Sequence, residues 1–423
     1  MGRLRVKFSH MADLHLGGWR EDTLREIGIK TFEKAIDISI QENVDFILIS
    51  GDLFDSSNPT IDVMARAAKK LYELKVNGIP VYVIEGSHDF SPTGRTILKV
   101  FHEAGLLKRV TSGEQTEGKL ILKGVVDEKT KIKLYGISGI RGSLEKATYT
   151  VLDRENLENQ EGQKIFLFHS AIQELKPDNL YQMESMPISL LPKGFFYYAG
   201  GHIHEKGEFE IGDYKNIVFP GALFPNNIDE LLSFKMGGFY LVDYNNGILN
   251  KSYIPIKVAP VVLLEINLEG THTINVEEKV RLAADKNDLK GSIVILKFKG
   301  KIEGSLSDIN FKKINLYLEN KGVLLVKRDT REIKAKEFKE IKNSSLTKEK
   351  LEEDVIVRHK DQIKIKDCQT ETVSFVKTFM NILSREKKEG EKKDDYNKGI
   401  LSESIEYLSK NNLLEDLDET SLP

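Results

Sequence analysis

The chain has 423 residues, of which 40% are hydrophobic and 30% are charged, and its formal net charge is −3. This length is enough for two or three domains with cores of their own. The small net charge excludes binding to nucleic acid through an overall positive field, so any contact with DNA requires local basic patches or metal ions.

The cysteine content and the apolar segments predict the compartment. Cys368 is the single cysteine, which excludes an intramolecular disulfide and is typical of a reducing environment. The first residues lead directly into a predicted apolar strand and lack the longer apolar segment that is typical of a signal peptide. No apolar run approaches the ~20 residues that span a bilayer. We therefore expect a cytoplasmic protein without membrane association.

Three short apolar segments open the chain, and each ends in polar residues. They lie at 6–12, 46–50 and 80–85, and helix-length segments at 24–42 and 60–76 separate them. This alternation of strand and helix predicts a parallel sheet with crossover helices. In such sheets, residues just past the carboxyl ends of the strands meet at one edge.

The pattern then changes to include antiparallel strands. A helix is predicted at 94–104, and hairpin strands within 118–142 turn near Asp127. Buried strands are predicted to end near His169 and near His202. Further strands are predicted at 207–211, 216–219, 238–243 and 248–254. We predict an α/β domain of two stacked sheets with outer helices over residues 1–255.

The remaining sequence predicts a smaller domain and a tail. Residues 256–330 alternate strands and helices, which predicts a compact α+β module. Residues 331–423 are rich in Lys and Glu, with amphipathic helices at 370–384 and 400–408 joined by a flexible charged link at 385–398. Two helices without a core of their own are typical of partner docking. The predicted docking residues are Phe375, Phe379, Met380 and Leu383.

Carboxylates and imidazoles follow the predicted strands and are candidate metal ligands. Oxygen and nitrogen ligands together suit a divalent metal, and two ions that share a carboxylate can activate water and hold phosphate oxygens. Asp52 is positioned to bridge, and His88 could act without a metal as an electrostatic stabiliser or general acid. The candidate ligands are Asp13, His15, Asp52, His169, His202 and His204, with Ser87 and His88 beside them.

Each of these patterns alone is more often structural than functional. A lone Asp-x-His or Gly-Asp is incidental in most proteins, and His-x-His after a strand binds metal in a minority of cases. Here five of the nine histidines have proposed roles, and all five follow predicted strands. Taken together, the set indicates one shared dinuclear site.

Asp13-x-His15, Gly51-Asp52, Gly86-Ser87-His88-Asp89, His169 and Gly201-His202-x-His204 resemble the calcineurin-like metallophosphoesterase superfamily. The segments 8–17 and 45–54 are similar to DNA double-strand-break repair nucleases of the meiotic-recombination-eleven and SbcD type. This resemblance implies a four-layer α-β-β-α sandwich, an α+β capping domain and a docking tail. It also implies two divalent ions, manganese above all, exonuclease and endonuclease action on double-stranded ends and single strands, a homodimer, and an SMC-like ABC-type ATPase partner.

The resemblance also implies a role for each site residue. Asp13, His15, Asp52 and His204 would surround the first metal. Asp52, Ser87, His169 and His202 would hold the second metal, with His88 beside the scissile phosphate.

Two positions depart from the usual family pattern. Ser87 stands where the superfamily usually has Asn, and its shorter hydroxyl is a weaker ligand for the second metal. Asp55 replaces a His of many members. It could change the handling of DNA ends or only stabilise the following turn.

Basic and apolar surface residues suggest contacts with DNA and with a second copy of the chain. Trp19 could stack on DNA, shield the metals or pack internally, and each such cation is more often a solvated surface charge than a DNA contact. The candidate DNA contacts are Trp19, Arg20, Arg25, Arg95, Arg141, Lys301 and Lys327. The resemblance implies a dimer through the helices at 60–76 and 94–104, whose apolar residues could equally cover the sheet.

The sequence favours a metal-dependent nuclease that acts on DNA ends in double-strand-break repair. One alternative is a phosphoesterase for small nucleotides or phosphoproteins, which the capping domain and the tail disfavour. The other is an attenuated DNA-end-binding scaffold, which Ser87 supports.

Overall fold

The computed structural model describes residues 5–91, 94–140, 144–177, 180, 182–335, 352, 355–357, 371–387, 391, 393–411 and 413. The chain divides into two compact units, Met1–Glu337 and Phe338–Pro423.

The strands belong to the first unit. Strands β1 to β18 span, in chain order, Arg5–Met11, Phe46–Ser50, Val81–Ile84, Lys108–Arg109, Gly113–Thr116, Lys119–Leu122, Val125–Val126, Lys133–Ile137, Lys164–His169, Tyr197–Gly201, Gly207–Ile211, Tyr214–Phe219, Gly238–Asn245, Ile248–Pro255, Val261–Asn267, Thr271–His272, Ile293–Glu303 and Leu325–Ala335.

The α-helices occur in both units. Helices α1 to α10 span Asp22–Gln41, Ile61–Val76, Leu98–Glu103, Glu145–Thr150, Arg154–Glu158, Ile228–Ser233, Val276–Ala284, Phe311–Asn320, Thr372–Leu383 and Lys393–Lys410. Within the described residues, none of these helices has the length and apolar character needed to cross a membrane.

Two six-stranded sheets form the centre of the first unit. Their strand orders are β14-β13-β1-β2-β3-β4 and β11-β12-β10-β9-β8-β7. The strands β1 to β4 are parallel, as are β8, β9, β10 and β12, whereas β13 joins β1 antiparallel. The carboxyl ends of the parallel strands therefore lie at one edge of each sheet.

Three apolar layers separate four layers of secondary structure. Phe8, Leu48, Ile165 and Tyr197 are among the fully buried side chains between the two sheets. Helices α1, α2 and α3 cover the outer face of the first sheet, and α4 and α5 contribute to the cover of the second. The predicted α-β-β-α sandwich is thereby confirmed.

A smaller sheet follows, in the order β15-β17-β16, with β18 paired to β17. Alternate residues of β17 point to opposite faces. Val294 and Leu296 pack under α7 and α8, whereas Ile293 and Ile295 pack against α1 and α6. Strand β18 extends past the predicted domain end at residue 330, and the domain boundaries at 255 and 330 remain predictions.

Two local predictions differ from the structure. Strand β8 pairs with β7, whereas β6 pairs with β5 in a separate, largely exposed ribbon. The alternation of charged and apolar residues indicates a strand but does not specify its partner. Helix α10 begins at Lys393, inside the predicted flexible link, because the Tyr396 hydroxyl donates to the Arg385 carbonyl and anchors this turn.

The second unit contains the predicted docking residues on α9. The Phe375 ring stacks on the Tyr407 ring of α10 at 5.3 Å, and Phe379 stacks on both rings. Phe375 is buried, whereas Met380 and Leu383 are about half exposed. The aromatic residues therefore join the two helices, and the aliphatic residues lie at the surface.

His10 is a buried histidine between the sheets, away from the predicted ligands. Its Nδ1 lies 2.9 Å from the Tyr197 hydroxyl and its Nε2 lies 2.9 Å from Ser50 Oγ. Because Ser50 Oγ donates to the Ala199 carbonyl, His10 Nε2–H donates to Ser50. Burial lowers the pKa of His10 to about 3, so the ring is neutral in the folded protein at neutral pH.

We expect His10 to make the fold sensitive to acid. An unfolded histidine titrates near 6.5, so between about pH 6.5 and pH 3 the unfolded state binds more protons and stability falls as the pH falls. His10→Gln should reduce the loss of unfolding free energy between pH 7 and pH 4 by roughly 3 kcal/mol. Urea unfolding at both pH values measures this. The exposed-site control His272→Gln should leave the pH dependence unchanged, and equal slopes in both variants would contradict the assignment.

Candidate metal centre

The predicted ligands lie at the carboxyl ends of five parallel strands. Asp13 and His15 follow β1, Asp52 follows β2, Ser87 and His88 follow β3, His169 ends β9, and His202 and His204 follow β10. The two sheets therefore contribute ligands from opposite sides of one cleft.

Sharp turns direct these side chains into the cleft. Asp13, His15, Asp52 and His202 have φ angles of 51°, 43°, 50° and 84°, in the left-handed region. Such angles cost about 1 kcal/mol or more in residues other than glycine. Gly201 lies where a Cβ atom would overlap the carbonyl oxygen of Ser50, so only glycine permits this approach of the two sheets.

The ligand atoms form overlapping groups in which all atoms lie within 4.8 Å of one another. His15 Nε2 and His204 Nε2 are 3.1 Å apart, and Asp52 Oδ2 lies 3.3 Å from His169 Nε2 and 3.7 Å from His15 Nε2. The groups are Asp13–His15–His204, His15–Asp52–His88 and Asp13–Asp52–His169. Asp52 therefore contacts both halves of the site, as a bridging carboxylate must.

A backbone carbonyl orients the ring of His169. Its Nδ1 lies 2.8 Å from the Ser50 carbonyl, which can only accept, so Nδ1 carries the hydrogen. Its Nε2 is buried and faces Asp52 Oδ2 at 3.3 Å. Burial opposes a charge on His169, but the carboxylate of Asp52 outweighs it and raises the pKa of His169 to about 10. A proton and a metal ion would thus compete for the same nitrogen.

The charges of the other ligands follow from the same contacts. Burial raises the pKa of Asp52, but the contacts with His169 and His15 lower it by a larger amount. The carboxyl group is therefore ionised. Burial and the charge of His169 lower the pKa of His202 to about 3, which leaves a neutral imidazole. The backbone N–H of His202 donates to both carboxylate oxygens of Asp13. Carboxylates and imidazoles together fit a divalent metal, which would replace the proton on His169.

His88 is tethered beside this group. Its Nδ1 lies 2.7 Å from the carbonyl oxygen of Asp55, so Nδ1–H donates and Nε2 is the nitrogen available to a substrate. The backbone N–H of His88 donates to Asp52 Oδ1 at 2.8 Å. Ser87 is partly buried in the same loop, between Gly86 and His88. Its role as a ligand remains a prediction.

Asp89 supports the loops beside the site, and the sequence assigned it no role although it belongs to the Gly-Ser-His-Asp motif. Its Oδ2 accepts from the N–H groups of Gly86 and Leu53, and its Oδ1 accepts from that of Phe54. Burial and the charge of Asp52 raise the pKa of Asp89 to about 8. Asp89 thus joins the loop after β2 to the loop after β3.

The predicted DNA contacts have different environments. Trp19 Nε1–H donates to the Pro225 carbonyl, and Lys327 Nζ lies 5.3 Å from its ring centre, so Trp19 packs internally. Lys327 also pairs with Glu21. Arg25 pairs with Asp22, whereas Arg20, Arg95 and Lys301 are exposed. Arg141 lies outside the described residues.

The fold and the site define a calcineurin-like phosphoesterase, and the model of that family matches residues 6–206. The chain is 33% identical to the DNA double-strand break repair protein Mre11 of Saccharolobus solfataricus, over 63% of this chain and 67% of that protein. It is 30% identical to Mre11 of Sulfurisphaera tokodaii over 67% and 70% of the two chains, and 31% identical to Mre11 of Methanococcus maripaludis over 66% and 75%. Within the phosphoesterases, the chain therefore belongs to the Mre11 family. The prediction of a phosphodiesterase of the nuclease type is confirmed.

We expect Asp89→Ala to destabilise the metal-free protein by about 3–5 kcal/mol, because three buried N–H groups would lose their acceptor. Urea unfolding in the presence of a chelator measures this loss. Asp62→Ala, at an exposed position on α2, is the control and should change stability by less than about 1 kcal/mol. Equal effects of the two substitutions would show that Asp89 does not join the loops.

Proposed function

We propose that the chain is a metal-dependent nuclease that cleaves phosphodiester bonds at DNA ends in double-strand-break repair. The convergence of the three carboxylate–imidazole groups at one cleft carries this proposal. The relatives named above, which are DNA double-strand break repair proteins, support the choice of substrate. Double-stranded ends and single strands are the proposed substrates.

The residues present fit two divalent ions, for which we propose manganese. Bound ions would stabilise charge on the phosphate and lower the pKa of an attacking water. Asp13, His15, Asp52 and His204 would hold the first, and Asp52, Ser87, His169 and His202 the second. A serine hydroxyl is a weaker ligand than an amide carbonyl, so the second ion would bind less tightly.

The protein groups orient the reaction. The Ser50 carbonyl accepts a hydrogen bond from Nδ1–H of His169 and so orients the ring. The backbone N–H of His88 donates to one carboxylate oxygen of Asp52 and holds it in place. The Asp55 carbonyl holds Nδ1–H of His88, which leaves Nε2 to face the substrate. His88 would donate a hydrogen bond or a proton to the phosphate or to the leaving oxygen.

We propose two protein interactions. Ile61 on α2, Val76 at its end and Val100 on α3 are 78%, 68% and 60% exposed, which supports a homodimer through these helices. Leu71, Leu98 and Phe101 are buried against the sheet instead. The exposed Met380 and Leu383 support docking of an SMC-like ABC-type ATPase on α9.

Cleavage of end-labelled duplex and of single-stranded DNA with added Mn²⁺ tests the proposal. We expect the natural chain to cleave both, and His88→Ala to lower the rate by about 10²–10⁴-fold, as expected for a lost general acid. Ser87→Asn should bind the second ion more tightly. His102→Ala is the control and should leave the rate unchanged, because the His102 ring on α3 contacts the carbonyl of Leu107 and not the site.

Three outcomes would overturn this assignment. Activity restricted to Ser87→Asn would mean that the natural chain is attenuated. Inactivity of every variant, with the partner ATPase present, would indicate a DNA-end-binding scaffold. Hydrolysis of bis-p-nitrophenyl phosphate without cleavage of DNA would indicate a small-nucleotide phosphodiesterase.

Binding of DNA should weaken steeply as salt increases, because phosphate contacts release counterions. In a His88→Ala background, Arg20→Ala and Arg95→Ala should each reduce the slope of log Kd against log salt concentration by about one. Fluorescence anisotropy with a labelled duplex measures the slope. Arg5→Ala is the control. Arg5 lies at the start of β1, at the opposite edge of the sheet from the site, and pairs with Asp243 of β13. A slope that neither arginine changes would exclude both contacts.

A further inference from the structure

A carboxylate from outside the predicted ligand set contacts one of the ligands. Glu230 lies on the short helix α6, and its Oε1 is 2.9 Å from His204 Nδ1. The Glu230 side chain is 15% exposed, so solvent competes little for this contact. The pair brings a partly buried acceptor to the side of His204 opposite Nε2.

Glu230 is already arranged as an acceptor by its own neighbours. Its Oε2 accepts from the backbone N–H of Asn226 at 2.7 Å, and its Oε1 accepts from the side-chain amide of Asn227 at 2.6 Å. Asn227 in turn caps α6, because its Oδ1 accepts from the Glu230 N–H at 2.9 Å. These bonds hold the carboxylate in place, so His204 Nδ1–H is the donor in the contact.

The other nitrogen of His204 faces the first metal position. His204 Nε2 lies 3.1 Å from His15 Nε2 and 3.9 Å from Asp13 Oδ1. A hydrogen on Nδ1 leaves the lone pair of Nε2 directed at the point that these three residues share. The contact with Glu230 therefore determines which nitrogen of His204 is available as a ligand.

The second histidine of this metal position has a similar neighbour. Asp55 Oδ1 lies 3.2 Å from His15 Nδ1, and the side-chain amide of Asn226 donates to the same Asp55 oxygen at 3.4 Å. Asn226 thus connects Asp55 to Glu230. Asp55 therefore contacts the His15 ring, which places a second negative charge behind the first metal position.

We propose that Glu230 is a positioning residue of the first metal position: it fixes His204 with Nδ1 protonated and Nε2 directed at the metal. This inference rests on the proposed metal-dependent function and adds a residue to it. A carboxylate behind a ligating imidazole orients the ring and increases the basicity of the ligating nitrogen, and the loss of such a partner typically weakens metal binding 10–100-fold.

Three variants separate this role from a general effect on the helix. Glu230→Ala removes the acceptor, and Glu230→Gln keeps a neutral carbonyl acceptor that can rescue the tautomer without the charge. Asp229→Asn is the matched control, because this neighbouring carboxylate on α6 pairs with Arg331, 2.6 Å away, instead of with the site. A variant that merely loosens α6 would resemble Asp229→Asn.

The first readout is the tautomer of His204 in the metal-free chain, from long-range ¹H–¹⁵N spectra of ¹⁵N-histidine-labelled protein, with His204→Gln for assignment. Burial lowers the pKa of His204, but Glu230, Asp13 and Asp52 together raise it by more, so the spectra are recorded at an alkaline pH at which the ring is neutral. The natural chain, Glu230→Gln and Asp229→Asn should show Nδ1 protonated and Nε2 unprotonated. Glu230→Ala should show an exchange-averaged mixture of tautomers. The natural pattern in Glu230→Ala would overturn the proposal.

The second readout is calorimetric titration with Mn²⁺. Glu230→Ala should weaken the first site 10–100-fold, Glu230→Gln less, and Asp229→Asn less than twofold. Equal affinity of Glu230→Ala and the natural chain would also overturn the proposal. If Glu230→Ala does not fold, Glu230→Asn, whose side chain is one methylene shorter, removes the contact instead: a loss of affinity there supports the proposal, and unchanged affinity refutes it. A natural chain that binds Mn²⁺ but cleaves no DNA would contradict the proposed function while leaving this inference intact.

Discussion

The metal centre depends on the close approach of the two central sheets at Ser50 and His169. His169, at the end of β9, donates from Nδ1 to the carbonyl of Ser50, at the end of β2, across the gap between the sheets. Gly201 permits this approach because it has no side chain to displace the Ser50 carbonyl. As a result, Asp52 and His169 lie 3.3 Å apart, and ligands from both sheets reach one point. The hydrogen bonds of the fold itself therefore position the ligand set.

This arrangement has an energetic cost that backbone hydrogen bonds offset. Asp13, His15, Asp52 and His202 have left-handed backbone angles, each of which is unfavourable for a residue with a side chain. Asp89 accepts hydrogen bonds from three backbone N–H groups, and Asp13 accepts two from the backbone N–H of His202. These bonds hold the turns in place. Outer carboxylates such as Glu230 then hold the imidazoles. Support of this kind is what keeps a reactive site rigid.

The sequence predicted the sheets and the cluster of ligands because both follow from short-range patterns. Parallel strands place their carboxyl ends together, so Asp13, Asp52 and His169 could be brought together without coordinates. The partner of β6 could not be predicted, because an alternating pattern does not encode pairing. Glu230 had no sequence signal, since it lies 26 positions after His204 on a short helix. The internal packing of Trp19 likewise depends on the distant Pro225 and Lys327.

The position of β13 beside β1 has a consequence for synthesis on the ribosome. Arg5 on β1 pairs with Asp243 on β13, 238 positions later in the chain. At typical translation rates β13 emerges roughly 10–50 s after β1. During that interval one edge of β1 has no partner strand, and unpaired edges promote aggregation. A message truncated before β13 would therefore yield a product whose first sheet ends in an open edge at β1.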